Sequence, residues 1–206
     1  EIKKDKKHLF KISLANGEEI LIDKTVCEDN ALVEGMSLSD EEIEELIFQS
    51  DYERAKSRAL WYLDRMDHTE KALYQKLLRG GFSKKASAKV LERLVEIGVV
   101  DDRRYAERFA ERCAENNLSL RETLHKMLEK GVPYDMAKEV VSQIDVQEET
   151  KISALIEKKY AYKLSQPNGT EKVYAALIRK GFSYSAVKAA LKKYSEELEF
   201  SEEYDV

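Results

Sequence analysis

Leu77-Leu78-Arg79-Gly80-Gly81-Phe82 returns as Met127-Leu128-Glu129-Lys130-Gly131-Val132 and again as Leu177-Ile178-Arg179-Lys180-Gly181-Phe182, so the same phrase recurs every 50 residues. A period of this size marks an array of one supersecondary unit. Counting back from each glycine, apolar residues stand three, four and seven positions earlier: Leu78, Leu77 and Tyr74, then Leu128, Met127 and Leu124, then Ile178, Leu177 and Tyr174. That spacing is one apolar stripe of a helix. The glycine suits the left-handed position just past a helix C-terminus, and the apolar residue after it suits the contact that closes such a cap. Ser83 and Ser183 are placed to N-cap the next helix, and Pro133 is tolerated in its first turn. A second stripe follows each glycine: Val90, Leu91, Leu94; Val140, Val141, Ile144; Ala190, Leu191, Tyr194.

A further helix is expected ahead of each pair. The first covers roughly 51–66, with Ala55, Ala59, Leu60 and Leu63 inward and a capping box at Ser50-x-x-Glu53. The second covers 101–116, with Tyr105, Ala106, Phe109, Ala110 and Cys113. The third covers about 145–162, with Ile152, Leu155, Ile156 and Tyr160 and a box at Asp145-x-x-Glu148. The fold class is therefore mainly α: an elongated array of three tandem three-helix repeats at 49–98, 99–144 and 145–196. Repeats of this size bury a modest core alone and are stabilised by stacking.

Residues 1–48 differ. Phe10 to Leu14 alternates, Asn16-Gly17 is a hairpin turn signal, and Glu19 to Asp23 returns. A two-residue loop puts Ile12 opposite Leu21 but Leu14 opposite Glu19, which leaves the pairing open. Ser39-x-x-Glu42 opens a short helix with Ile43, Leu46 and Ile47. Residues 197–206 form an acidic tail, expected to be partly disordered.

With two prolines and eight glycines in 206 residues, the composition fits a helix-rich chain. No run of 18 apolar residues and no secretory signal are visible, so a cytoplasmic, monomeric protein without a membrane span is expected. Cys27 and Cys113 fit no metal spacing and read as reduced thiols. The net charge of −5 is uneven: residues 1–50 hold 6 basic and 13 acidic side chains, and residues 51–100 hold 11 and 7. The acidic total argues against a dedicated nucleic-acid binder held mainly by phosphate contacts.

No catalytic motif is present, and His8, His68 and His125 have no i, i+4 partner. An enzyme is not expected, nor a cofactor or a metal. Asp101-Asp102 reads as an N-cap and a helix-dipole partner. The recurrent cations Arg79, Lys130, Arg179 and Lys180 have two readings. They complement helix C-termini, or they form one row of a partner- or DNA-binding side, joined by Lys84 and Lys85 in the first repeat and Lys188 and Lys192 in the third. Arg103, Arg104, Arg108 and Arg112 interleave with Glu107 and Glu111 and read as intrahelical pairs. Trp61 and most tyrosines read as core, with Tyr184 and Tyr204 as the exposed candidates.

Ala59-Leu60-Trp61-Tyr62-Leu63-Asp64-Arg65, followed by Thr69-Glu70-Lys71-Ala72-Leu73-Tyr74-Gln75-Lys76-Leu77-Leu78-Arg79-Gly80-Gly81-Phe82, resembles the first repeat of the regulatory protein RecX family. Gly98-Val99-Val100-Asp101-Asp102-Arg103-Arg104-Tyr105-Ala106, with Phe109 and Arg112, resembles the opening of that family's second repeat, and Arg179-Lys180-Gly181-Phe182 resembles a motif of its third. The hairpin, with Leu32-Val33-Glu34-Gly35-Met36 and Leu38 after it, is similar to the extension of many members. The resemblance implies a non-enzymatic regulator. It would bind the RecA recombinase filament on single-stranded DNA, inhibiting or disassembling it, and so modulate recombination, DNA repair and the SOS response. Asn116-Asn117-Leu118 stands where the family usually has glycines, and Asn tolerates the left-handed backbone such a turn needs. Direct binding of single-stranded nucleic acid through the basic row is the alternative.

Overall fold

The computed structural model describes residues 1–6, 8–144 and 147–203. It consists of a small N-terminal sheet and eleven α-helices, and it divides into two compact units, Glu1–Asp102 and Arg103–Val206.

In the first unit, β1 (Ile2–Lys6), β2 (Leu9–Ser13) and β3 (Glu19–Asp23) form an antiparallel sheet in that order. The first strand has no clear alternation and was legible only once paired. The hairpin loop is one residue longer than a two-residue turn: Leu14 accepts from the Gly17 amide and donates to Glu18, with Gly17 at φ 85°. A glycine in left-handed conformation after a tight turn is the three-residue hairpin with a bulge. It sets Ile12 opposite Ile20 and Phe10 opposite Ile22, so Leu21 does not face Ile12. The register puts Ile12 and Ile22 into a core with Val26, Cys27 and Leu46, and leaves Leu21 45% exposed. Sliding by one residue would invert those faces.

Helix α1 (Lys24–Asp29) is followed by α2, which runs unbroken from Asp40 to Leu63. The capping box at Ser39 and Glu42 is present, with both reciprocal hydrogen bonds. The box expected at Ser50-x-x-Glu53 is not: Ser50 lies mid-helix, buried, and its hydroxyl accepts the Asp23 amide at 2.8 Å. The helix therefore passes through residues 48 and 49 and carries both the N-terminal core and the first repeat. Local capping chemistry at Ser50 yields to helix continuity because its hydroxyl ties the sheet to the helix. Ala55 and Ala59 are fully buried, whereas Leu60, expected inward, is 44% exposed. The close approach that the alanines allow brings α2 against α3 (Glu70–Arg79) and α4 (Lys84–Glu96) around Leu73, Leu77, Val90 and Leu94.

The second unit repeats the plan. Helices α5 (Asp102–Glu115), α6 (Leu120–Glu129) and α7 (Tyr134–Ser142) enclose Ala106, Ala110, Met127, Val140 and Val141. Helix α8 (Glu148–Leu155) passes into a π-helical turn at Ile156–Tyr160 and then α9 (Ala161–Leu164); α10 (Gly169–Arg179) and α11 (Tyr184–Glu203) complete the third core around Ile152, Ile156, Val173, Leu177 and Val187. Helix α11 continues through Glu203, into the stretch read as tail. Asp145, half of the box proposed with Glu148, lies outside the described residues, as does Tyr204.

All three repeat glycines have positive φ: 86° at Gly81, 94° at Gly131 and 90° at Gly181. Each donates to the carbonyl three back, and the next amide donates to the carbonyl five back, as in Phe82 to Leu77. This is the Schellman cap. Asn117, at φ 55°, closes α5 with the same pair of bonds, Asn117 to Ala114 and Leu118 to Cys113. The asparagine thus supplies the left-handed backbone that Asn was expected to tolerate at this turn.

In the first and third repeats an acidic side chain from outside the helix pair ties down the turn. Asp51 accepts the Ser83 amide at 2.8 Å, and Glu148 accepts both the amide and the hydroxyl of Ser183. In the middle repeat Pro133 takes the N-cap position and has no amide to offer. Asp102 does not serve the dipole of its own helix alone. Its carboxylate accepts the Glu70 amide at 2.8 Å, capping α3 from outside, and burial pushes its pKa up while that hydrogen bond pulls it down.

His68 is buried beside Tyr62, and its Nε2 has no hydrogen-bond partner. Burial, helped by the nearby Lys76 charge, lowers its pKa from the ordinary 6.5. A base held neutral in the fold charges first in the unfolded chain. Stability is therefore full above about 6.5 and falls as pH drops through that value toward the folded pKa. Urea midpoints measured from pH 8 to pH 5 are expected to decline below 6.5, and His68→Gln is expected to flatten the decline; an unchanged slope in the variant rules out this source.

Candidate functional site

The cations ahead of the repeat glycines occupy helix C-termini. Arg79 and Arg179 each turn Nε back onto a carbonyl four residues earlier, Gln75 at 3.2 Å and Ala175 at 3.3 Å. Lys130 and Lys180 are the C-cap residues of α6 and α10. Four cations in these places offset the negative helix ends, as the dipole reading requires. Lys180 also lies 3.8 Å from Glu122, while its carbonyl accepts the Ser119 hydroxyl at 2.5 Å. That contact locks the third-repeat turn onto the N-terminus of α6, and it explains why Gly181 has no room for a side chain: a Cβ there would meet the Arg121 Cβ at 2.8 Å.

Lys84 and Lys85 sit in the first turn of α4, at the positive end of the dipole, so their own helix does not reward them. Lys85 instead lies 4.2 Å from the centre of the Phe48 ring. Arg103 pairs within its helix to Glu107 at 3.2 Å, as expected. It also bridges to Glu139 on α7 at 2.7 Å, where its hydrogen bond, and then its charge, lower the pKa of the Glu139 carboxyl from the ordinary value.

Three of the sequence candidates come together in the third repeat. Arg179 lines a recess of about 590 Å3 with Lys163, Lys172, Tyr174 and Tyr184. Lys188 and Lys192, one turn apart on α11, line an adjoining recess of about 450 Å3 with Tyr174 and Tyr194. Tyr174 is common to both. Tyr184 is 68% exposed, as read from its place after the glycine cap. Lys163 and Lys172 were not singled out by sequence: Lys163 belongs to the irregular link through α9, and Lys172 stands where the other repeats have Ala72 and Glu122, its spacing of two turns before Arg179 being the available signal.

Trp61 was read as core and is instead 45% exposed. Arg65 lies 3.5 Å and Arg58 5.4 Å from its ring centre, and Arg54 lies 5.8 Å from that of Phe82. Trp61, Arg58, Arg54 and Phe82 border a recess of about 680 Å3. The spacing Arg54, Arg58, Trp61, Arg65 is a single helical stripe and was the available signal.

Residues 55–94 match the family model described as RecX, first three-helix domain, and residues 147–191 match that of RecX, third three-helix domain. The chain is 30% identical over 191 residues to the regulatory protein RecX of Streptococcus gordonii, across 90% of this chain and 72% of that protein. It is 30% identical over 143 residues to the RecX of Prosthecochloris aestuarii, across 69% of this chain and 94% of that one. A crystal structure of a regulatory protein RecX superposes over 93% of this chain and 97% of its own at a TM-score of 0.70, with 21% identity. RecX from Lactobacillus salivarius superposes over 69% and 96% at 0.61, with 20% identity.

Proposed function

This chain belongs to the RecX family of regulatory proteins, and from that premise we propose that it binds RecA-type recombinase filaments on DNA and inhibits or disassembles them. The observation that carries the reading is the family match at both the first and the third three-helix domain, with the caps between their helices intact. Repeats of this kind offer extended surfaces rather than one enclosed pocket, which suits a polymeric partner. An exposed Trp61 between two arginines has the composition of a protein-interface anchor, where Trp and Arg dominate binding energy. The mixed charge, acidic at the N-terminus and basic in the first repeat, suits a partner surface made of both protein and DNA. On this reading the protein acts without catalysis in the cytoplasm, and it modulates recombination, DNA repair and the SOS response.

The test is the DNA-dependent ATPase of RecA with this protein added at substoichiometric to equal dose. A marked fall in rate is expected, and an unchanged rate refutes the reading. The full chain is the right reagent, since removing residues 1–48 would cut α2 in its middle.

A further inference from the structure

The N-terminal module holds a groove of about 710 Å3 between the sheet and the segment that links α1 to α2. Apolar side chains line it: Ile2 of β1 and Leu14 of the hairpin loop on one side, Leu32, Val33, Met36 and Leu38 of the link on the other. Backbone hydrogen bonds hold the link in place. The Leu32 amide donates to the Cys27 carbonyl at 3.0 Å as α1 ends. A tight turn follows, in which the Met36 amide donates to the Val33 carbonyl at 3.3 Å and Gly35 takes φ 85°. Glu34, at the tip of that turn, accepts the Ile2 amide at 3.0 Å and so ties the link to the edge strand β1.

The turn leaves apolar side chains in solvent. Val33 is 64% and Met36 49% exposed, next to Leu32 and Leu38, which pack on the N-terminal core. A link that only joined two helices would carry polar residues there. Apolar side chains held at the mouth of an apolar groove make a contact surface, and an unbranched methionine adapts its shape to what it meets. The charge around the groove has one sign. Glu34 and Asp40 line it without an ion pair, Glu1 is paired with Lys3 at 2.6 Å, and among the described residues no lysine or arginine lines it.

We propose that this groove is a docking site for a basic amphipathic segment of a partner protein. Its apolar side chains seat against Val33, Met36 and Leu14, and its lysines or arginines meet Glu34 and Asp40. Charge complementarity selects this occupant. Residues 1–50 hold 13 acidic and 6 basic side chains, so a nucleic acid or an anionic membrane is repelled, and a second copy of the module meets like charge. An oligocation without apolar anchors leaves the groove unfilled. The site needs no recombinase, so its test and that of the filament reading fail separately.

The experiment is fluorescence anisotropy of a labelled amphipathic Lys/Leu peptide titrated with the full chain alone, with an oligolysine of equal charge and a Glu/Leu peptide as comparators. The Lys/Leu peptide is expected to bind more tightly than oligolysine, and the Glu/Leu peptide not to bind. Met36→Ser should weaken the Lys/Leu peptide about tenfold, the loss for one apolar side chain removed from a contact. Glu34→Gln keeps an acceptor for the Ile2 amide and removes the charge; it should weaken binding about threefold at low salt and much less at high salt. Leu21→Ser, which removes a comparably exposed apolar side chain on the opposite face of the sheet, should bind like the parent. Both apolar changes fall on exposed positions, so the core is left as it is. The proposal is overturned if the Lys/Leu peptide does not bind at low salt, or if oligolysine binds as tightly. It is equally overturned if Met36→Ser binds like the parent, or if Leu21→Ser weakens binding as much as Met36→Ser does.

Discussion

Gly181→Ala is expected to destabilise the second unit far more than Gly81→Ala destabilises the first, although the two glycines hold the same place in the repeat. Both have left-handed backbone, φ 90° and 86°, and both lose the Schellman geometry's natural occupant. That conformation costs a non-glycine residue roughly 1–2 kcal/mol. At Gly81 nothing lies within 4 Å of the added methyl, so the backbone term is the whole effect. At Gly181 the methyl meets the Arg121 Cβ at 2.8 Å and the Ser119 hydroxyl at 3.0 Å. A Cβ cannot swing aside as a side-chain tip can, so the turn must move away from α6. That adds an overpacking cost of about 1–3 kcal/mol. It also breaks the hydrogen bond from Ser119 to the Lys180 carbonyl. Urea unfolding of the two variants measures the difference directly. Equal losses would show that the third-repeat turn does not press on α6.

Leu177→Ala is the second large effect. Leu177 is fully buried in the third core, and its carbonyl accepts the Phe182 amide at the cap. Truncating a buried leucine costs about 3–5 kcal/mol, because the cavity adds to the lost transfer energy. Ile178→Ala, one residue on, removes a side chain that is only partly buried beside the same core, and its cost is expected to be less than half as large. Thermal or urea melts of the pair decide the matter. Comparable losses would mean that the core takes position 178 as fully as 177. Such a result would also undercut the repeat alignment, since Leu77 and Met127 are fully buried at the corresponding positions.

Much of this architecture was legible because helix periodicity and caps are local. The glycine phrase specified where six helices meet at three turns, and all three turns have the expected backbone. The Ser39–Glu42 box was read correctly for the same reason. The box at Ser50 has an equally good local pattern and failed, because a buried hydroxyl found its partner 27 residues away at Asp23. The hairpin register turned on which of Ile20 and Leu21 the core would take, a choice that the sheet's packing on α1 and α2 made. Asp102 is similar: its place in the first turn of α5 suits that helix's dipole, and its carboxylate caps α3 as well.

The candidate site divides the same way. Arg79, Lys130, Arg179 and Lys180 recur with the repeat, so their helix-end positions followed from the period. Which cations share a surface did not. Lys172 lies two turns before Arg179 on one face of α10, whereas Lys163 joins them only because short α9 packs against α10. Trp61 looked like core by residue type, and burial is a property of neighbours rather than of type.

By itself the sequence determined the repeat, its helix ends and the family, since each rests on residues a few positions apart or on an ordered set of motifs. The tertiary structure alone decided that α2 is one helix, that Gly181 has no room where Gly81 has, and that cations of α9, α10 and α11 line two recesses that share Tyr174. The physical reason is range. Caps and amphipathic stripes are settled within one or two turns of chain, whereas clearance and charge clustering depend on residues that only folding brings within a few ångströms.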